Sequence, residues 1–533
     1  PGEVRNLTRE LALLAEHDRY GRDLTLPELE DALVEMTACL PVYRTYIRDF
    51  TAEARDRAYI EHAVAEAARR SPPAGPACDF LRRVLLLAFP GYLAEEQRQA
   101  WLRFVMRWQQ FTGPVMAKGF EDTALYLYNR LVSLNEVGGD PQSTGVSVAA
   151  FHRRNRARRE RWPHTLNATS THDTKRSEDV RARINVLSEI PAAWARHLER
   201  WRAWNRPQKP VVNGEAIPDD NTELLIYQTL VGAWPLREEE VPAFRERLEG
   251  YLVKAAREAK VYTHWLRPDA AYEDALLQFA RSILEPADDN RFLQDFTRFQ
   301  QVTAYYGALN SLAQVLLKIA SPGVPDFYRG TEIWDFSLVD PDNRRPVDFK
   351  MRAAMLDALR EREEAGLAAL AGELLDRWQD GRIKLYVTYK ALHFRRSHRE
   401  LFAAGEYIPL EAAGPRREHV CAFARRLGAA WALVAVPRLM ARLAAADRGK
   451  NPDDEPADLP PMRPPLGEAT WGETSLLLPA GAPDRWRNVF TGEAVGVPAA
   501  PATGAVPPAE KSLPLAGVLR SFPVALLATE PGV

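Results

Sequence analysis

The sequence predicts an α/β chain built on the (β/α)-barrel pattern, carrying large helical insertions and followed by an all-β C-terminal module. Three observations predict it. Apolar residues recur at helical spacing through most of the first 375 positions. Two short segments of small and β-branched residues run straight into polar loops, which are followed by helices. Beyond about residue 380 the apolar period changes to two.

Taken in order, Leu26–Met36 reads as a helix with Thr25 as its cap, and Ala54–Arg69 as a charged, Ala-rich helix. The helix through 102–110 is expected to break at Gly113 and Pro114. Residues 135–141 (NEVGGDP) have the composition of a loop. The segment 166–171 (LNATST) reads as a short strand that opens directly into His172–Ser177. Ser177 is a good N-cap, because Glu178 and Asp179 then fall in the positive first turn. Pro191 is expected to stop that helix. Residues 191–290 are helical and tryptophan-rich. Phe299, Val302, Tyr306, Leu309, Leu312 and Leu316 mark one face of a further helix, which ends at Ser321. Val324–Tyr328 is then a short strand leading into a polar loop as far as Arg345. Ile383–Thr388, Trp431–Val436 and the segment from Pro523 read as strands, and the Pro- and Asp-rich stretch 452–465 as a linker.

Composition narrows the function classes. The chain has 533 residues, of which 46% are hydrophobic and 27% charged, so two or three soluble globular domains are expected. Seventy basic residues balance 72 acidic ones, and this argues against a nucleic-acid partner. The three cysteines, Cys39, Cys78 and Cys421, have no metal or redox spacing and suggest a reducing compartment, with Cys39 and Cys421 read as packing residues. No signal peptide or membrane-spanning run is visible, so a cytoplasmic location and no membrane partner are expected. No metal site is visible.

Barrel sites lie at the C-terminal ends of strands. Three loops there carry polar clusters: 118–122, 172–176 and 328–345. In the second, His172 and Asp173 close a strand, with Lys175 two positions on. A carboxylate fixed there can stabilise the oxocarbenium character of glycosyl transfer. His172 can donate to a sugar hydroxyl, and Lys175 adds a directed charge.

The stretch 167–183 (NATSTHDTKRSEDVRAR) resembles the segment around the third catalytic carboxylate of the maltooligosyltrehalose synthases, members of the α-amylase superfamily (glycoside hydrolase family 13). Residues 109–123 (QQFTGPVMAKGFEDT), 132–141 (VSLNEVGGDP), 322–332 (PGVPDFYRGTE) and 340–348 (DPDNRRPVD) are similar to further blocks of the same family. Weaker matches at 38–46, at Trp486 and at 491–493 extend the resemblance to both ends. It implies the C-terminal part of a (β/α)8 TIM-type barrel, strands 6–8. Residues 1–108 would be a helical subdomain, 109–375 the barrel part with an insertion at about 190–295, and 376–533 a β-sandwich-like domain. It implies Asp173 as the transition-state-stabilising aspartate, with His172 and Lys175 binding substrate. Lys118, Glu121, Asp122 and Tyr328 are further substrate-binding candidates. The implied reaction converts the reducing-end α-1,4 bond of a maltooligosaccharide to an α,α-1,1 bond, by a double displacement without a cofactor. A trehalohydrolase acting on the product is the implied pathway partner.

The family's nucleophile motif, Gly-x-Arg-x-Asp, is not found; residues 20–23 (YGRD) lack the intervening residue. Nucleophile and general acid are therefore expected outside this chain. An α-amylase-type hydrolase and a non-catalytic carbohydrate-binding or subunit fragment are the alternatives. Individual residues have plainer readings too. Asp173 suits a capped turn, and Lys118, Glu121 and Asp122 suit a solvated turn. Arg344 and Arg345 suit loop ion pairs; Trp194, Trp201 and Trp204 suit packing; Tyr328 suits either packing or stacking.

Overall fold

The structure is a computed structural model describing residues 2–71, 75–446, 459–498 and 511–529. Two compact units result: residues 1–127 with 258–260, and residues 128–257 with 261–533.

The first unit is helical. Thr25 caps the helix Leu26–Ala38 as expected, in a reciprocal box: its hydroxyl accepts from the Glu28 amide, and the Glu28 carboxylate accepts from the Thr25 amide at 2.7 Å. Leu7, Leu11, Leu29, Leu33, Ile60, Phe80, Trp101 and Trp108 share one core. The expected break at Gly113 and Pro114 does not occur. One helix runs Glu95–Met116, through position 108, and widens into a π-helix over Ala117–Ala124. A proline inside a helix costs about 3 kcal/mol, and here the buried side of the helix offsets it. Gln109 accepts from Thr45 at 2.9 Å and from the Ile47 amide at 2.7 Å, and Trp108 donates to Thr37 at 2.9 Å.

In the second unit, Leu166–Asn167 and Val324–Pro325 form a two-stranded parallel sheet, pairing Leu166 with Val324. Both strands are shorter than expected. Gly323 (φ +110°) is required beside them, because a Cβ there would stand 2.7 Å from the Asn167 side chain. Ser177 caps Glu178–Asn185 by accepting from the Val180 amide at 3.4 Å. Pro191 does not terminate that helix. It occupies the first turn of the next one, Pro191–Asn205, where its missing N–H has no cost. Trp201 is fully buried, with the rings of Tyr227, Phe292, Phe296 and Phe299 within 5.8 Å, so this tryptophan is core.

The 30-residue helix Arg291–Ala320 is buried on nearly every side, not along one face. Gly307 lets it approach closely: a Cβ would stand 2.5 Å from the Arg183 side chain and 2.8 Å from its backbone. Ile383–Thr388, expected as a strand, belongs to the helix Arg382–Ser397. The alternation misled because Lys384, read as an outward polar position, is fully buried against two carboxylates.

A six-stranded antiparallel sheet follows, in the order 494–496, 485–488, 525–529, 430–437, 420–427, 406–410. Beside it are a three-stranded sheet and the short helices Met440–Ala446, Gly467–Trp471 and Leu515–Val518. Trp431, Trp471 and Trp486 sit in its core. Of the expected linker, 459–465 has no regular structure, and 452–458 lies outside the described residues. No helix among the described residues is long and apolar enough to cross a membrane.

His152, buried on the helix Val148–Arg161, joins that helix to the sheet through a 2.8 Å hydrogen bond with the Tyr407 hydroxyl. Burial, aided by Arg156, holds its folded pKa below the ordinary 6.5. The unfolded chain therefore binds more protons as pH falls below 6.5, and stability is lost in that window. The melting midpoint is expected to drop between pH 7.5 and 5.5, and the drop to shrink in His152→Gln. An equal drop in both proteins would remove His152 from the explanation.

Candidate active site

The strand Leu166–Asn167 delivers the chain into a loop whose backbone is held from three directions. From the side of the 135–141 loop, the Glu136 carboxylate accepts the Lys175 amide at 2.7 Å and the Arg176 amide at 3.2 Å. From the 340–345 turn, Asn343 donates to the carbonyls of His172 (3.2 Å) and Thr174 (3.5 Å). Within the loop, Thr171 Oγ1 accepts the Asp173 amide at 3.2 Å, and Thr174 Oγ1 donates to the Thr171 carbonyl at 3.0 Å. The side chains of His172 and Asp173 remain exposed above this fixed backbone, whereas Thr174, Lys175, Arg176 and Ser177 are buried.

The helix Val241–Ala259 fastens the other side. Arg176 Nη2 donates to Tyr251 at 2.7 Å, Arg247 Nε meets Asp342 at 2.6 Å, and Lys254 meets Asp340 at 2.5 Å. Asp342 also accepts the Leu338 amide at 2.7 Å. Burial opposes its charge, and Arg247 overcomes this, keeping the carboxyl below the ordinary range. Arg345 reaches Asp342 at 3.0 Å and Arg344 reaches Asp340 at 3.4 Å, so both arginines hold the turn. Tyr328, three residues past the second strand, donates to the Asn343 carbonyl at 3.1 Å.

Beneath the loop lies a buried ionic cluster. Lys384 Nζ stands 2.7 Å from Glu178 and 2.8 Å from Asp179, and Lys318 lies 3.5 Å from Glu178. Thr169, one residue pair before the loop, donates to Glu178, and Lys318 donates to Thr169 at 2.8 Å. Burial works against the Glu178 charge, but Lys384 and Lys318 outweigh it and hold the carboxyl well below its usual range. The same carboxylates hold the Lys384 ammonium above its usual range despite burial.

Of the expected site residues, His172 and Tyr328 are joined through Asn343, and Asp173 and Lys175 lie on the same loop as His172. Lys118, Glu121 and Asp122 belong to the first unit, on the π-helix; Lys118 pairs with Asp122 at 2.5 Å, and Glu121, buried, accepts from Tyr43. Such π segments occur often at functional sites. Sequence reasoning assigned no role to Glu136, Asn343, Arg247 or Lys384. Glu136 and Asn343 stand inside blocks noted for resemblance, but only the fold shows that they receive or donate the loop's backbone bonds. Glu136→Ala would leave two amides unpaired, an expected cost of about 1–3 kcal/mol. Thermal melts check it; an unchanged midpoint would show that water replaces the carboxylate.

Together these features describe a helix-rich α/β chain whose exposed His–Asp pair stands on the loop that follows a parallel strand. The same class is found among solved synthase structures. Maltooligosyltrehalose synthase from Arthrobacter ramosus superposes with a TM-score of 0.71 at 34% identity, over 99% of this chain and 56% of that one. A point mutant of it gives 0.73 at 35%. A hypothetical maltooligosyl trehalose synthase of Sulfolobus tokodaii gives 0.62 at 26%. The putative maltooligosyl trehalose synthase of Mycobacterium tuberculosis is 38% identical over 387 residues, 73% of this chain. No family model matches. Over the part it spans, the chain belongs to the maltooligosyltrehalose synthase family. That part is 42% of the length of the curated relatives.

Proposed function

We propose that the chain supplies the C-terminal part of a maltooligosyltrehalose-forming active site, acting on α-1,4-glucans in the cytoplasm. The observation that carries this reading is the exposed His172–Asp173 pair on a loop whose backbone is tied down by Glu136, Asn343 and Thr171. Leu166–Asn167 and Val324–Pro325 are read as neighbouring strands of a (β/α)8 barrel, with the sheet-rich module behind it.

In this reading an aspartate nucleophile and a glutamic general acid come from outside the 533 residues. The nucleophile takes C1 of the penultimate glucosyl unit while the acid protonates the departing O4 of the terminal glucose. That glucose turns in place, and its anomeric hydroxyl attacks C1, releasing the nucleophile and returning the proton. The bond changes from α-1,4 to α,α-1,1, and no atom is gained or lost. Asp173 stabilises the positive charge on the ring in both steps, and its exposed carboxylate on a fixed backbone needs little reorganisation to do so. In the second unit His172 binds a hydroxyl, with Lys175 and Tyr328 as further substrate-binding residues; in the first unit Lys118, Glu121 and Asp122 are the substrate-binding candidates. Water must be excluded, because it would intercept the glycosyl intermediate. The product has no reducing end and suits a trehalohydrolase.

The test is maltopentaose incubated with this chain plus the upstream half of a relative, following reducing ends against free glucose. Reducing ends should vanish without glucose release. Glucose release would favour an amylase-type hydrolase instead.

A further inference from the structure

Within the second unit, a cleft of about 1090 Å³ opens between the first half of the helix Arg291–Ala320, the start of Val241–Ala259 and the turn at Trp378. None of His172, Asp173, Lys175 and Tyr328 lines it. Its size lies just above the usual range of small-molecule sites, about 300–1000 Å³.

Trp234, Tyr305 and Trp378 form its aromatic walls. The rings of Tyr305 and Trp378 meet edge to face at 5.8 Å and 75°, which makes a corner and leaves ring faces unstacked by each other. Trp378 is fixed through its carbonyl, which accepts from Trp334 Nε1 at 2.7 Å. Gln300 lines the same cleft, is only 5% exposed, and its Oε1 accepts no hydrogen bond. A buried amide oxygen without a protein donor is an acceptor that a ligand hydroxyl entering the cleft can satisfy. Charge narrows the ligand further. Arg237 is paired with Glu240, Arg245 donates to the Leu284 carbonyl, and Glu238 and Asp376 balance the two arginines. The cleft therefore has no excess charge for an ion.

An occupant must be neutral, with apolar faces for the rings and hydroxyls to donate to Gln300. We propose that this cleft is a second glucan-binding site, holding a short run of α-1,4-linked glucose units apart from the His172–Asp173 loop. The choice of glucan rests on the proposed function above. The carbohydrate C–H faces stack on Trp378, and one hydroxyl satisfies Gln300 Oε1.

The experiment is calorimetric titration of the chain with β-cyclodextrin, a ring of α-1,4-glucose without ends. Trp378→Ala and Gln300→Met should each raise Kd about fivefold or more, as expected for one lost contact. Gln300→Met should not lower the melting midpoint, since it removes an unpaired buried acceptor, and this separates binding from folding. His172→Ala should leave Kd unchanged. Absence of β-cyclodextrin binding by the unaltered chain, an unchanged Kd in both cleft variants, or loss of binding in His172→Ala would each overturn the proposal. Binding through the cleft by a chain that, complemented, converts no maltopentaose would uphold the cleft and overturn the proposed reaction.

Discussion

Replacing Lys384 with methionine is expected to destabilise the second unit by about 3–5 kcal/mol, the cost of removing one partner from a buried ionic cluster. Lys384 is fully buried, and it is the only described cation within 3 Å of both Glu178 and Asp179. Without it, Glu178 keeps only Lys318, at 3.5 Å, as an ion-pair partner among the described residues. Glu178 would then take up a proton nearer neutral pH, so the variant should lose further stability as pH rises. The unaltered chain should do the opposite at the acid end. Glu178 has a depressed folded pKa, so its stabilisation is complete above the ordinary carboxylate range and is lost as pH falls through the folded value. Urea melts at several pH values check both trends. A Lys384→Met midpoint within error of the parent would mean that the cluster contributes nothing net. Adding Glu178→Gln and Asp179→Asn to the variant should recover part of the loss, because uncompensated charge is its cause.

The second large effect is on chemistry. With the upstream half supplied, Asp173→Asn is expected to reduce conversion of maltopentaose by roughly 10²–10³-fold, the scale of losing one group aimed at transition-state charge. The substitution removes charge and keeps shape. Asp173 is exposed, and the bonds that fix the loop run through its amide and its neighbours' backbone, so the melting midpoint should stay put. Loss in kcat with little change in KM would fit a role in the transition state. A variant with full activity would return Asp173 to the plainer reading of a turn carboxylate.

Local signals in the sequence reached as far as local physics extends. Ser177 and Thr25 announce their helices because a capping hydroxyl acts within three residues. The His172–Asp173 loop was legible because a strand, a polar turn and a capped helix follow one another without a gap. What stayed hidden depends on partners far along the chain. Lys384 looks like the outward residue of a strand until Glu178 and Asp179 are placed beside it. Pro114 looks like a helix stop until Gln109 is seen tied to the 45–47 segment. Glu136 and Asn343 are ordinary loop residues by composition, and their hold on the loop's backbone comes from tertiary placement alone.

The two-stranded sheet has a consequence for biosynthesis. Leu166 can pair with Val324 only after the entire helical insertion between them has left the ribosome, an interval of roughly ten to thirty seconds at usual elongation rates. Parallel pairing over such a separation is slow to nucleate, because the intervening chain must first surrender its freedom. Throughout that wait the Leu166 strand has no partner in Val324, and even in the finished chain Leu166 is 66% and Val324 41% exposed. The loop bearing Asp173, whose backbone is held by Asn343, therefore stays unset through that interval, and newly made chains should need protection at this segment until residue 343 has emerged.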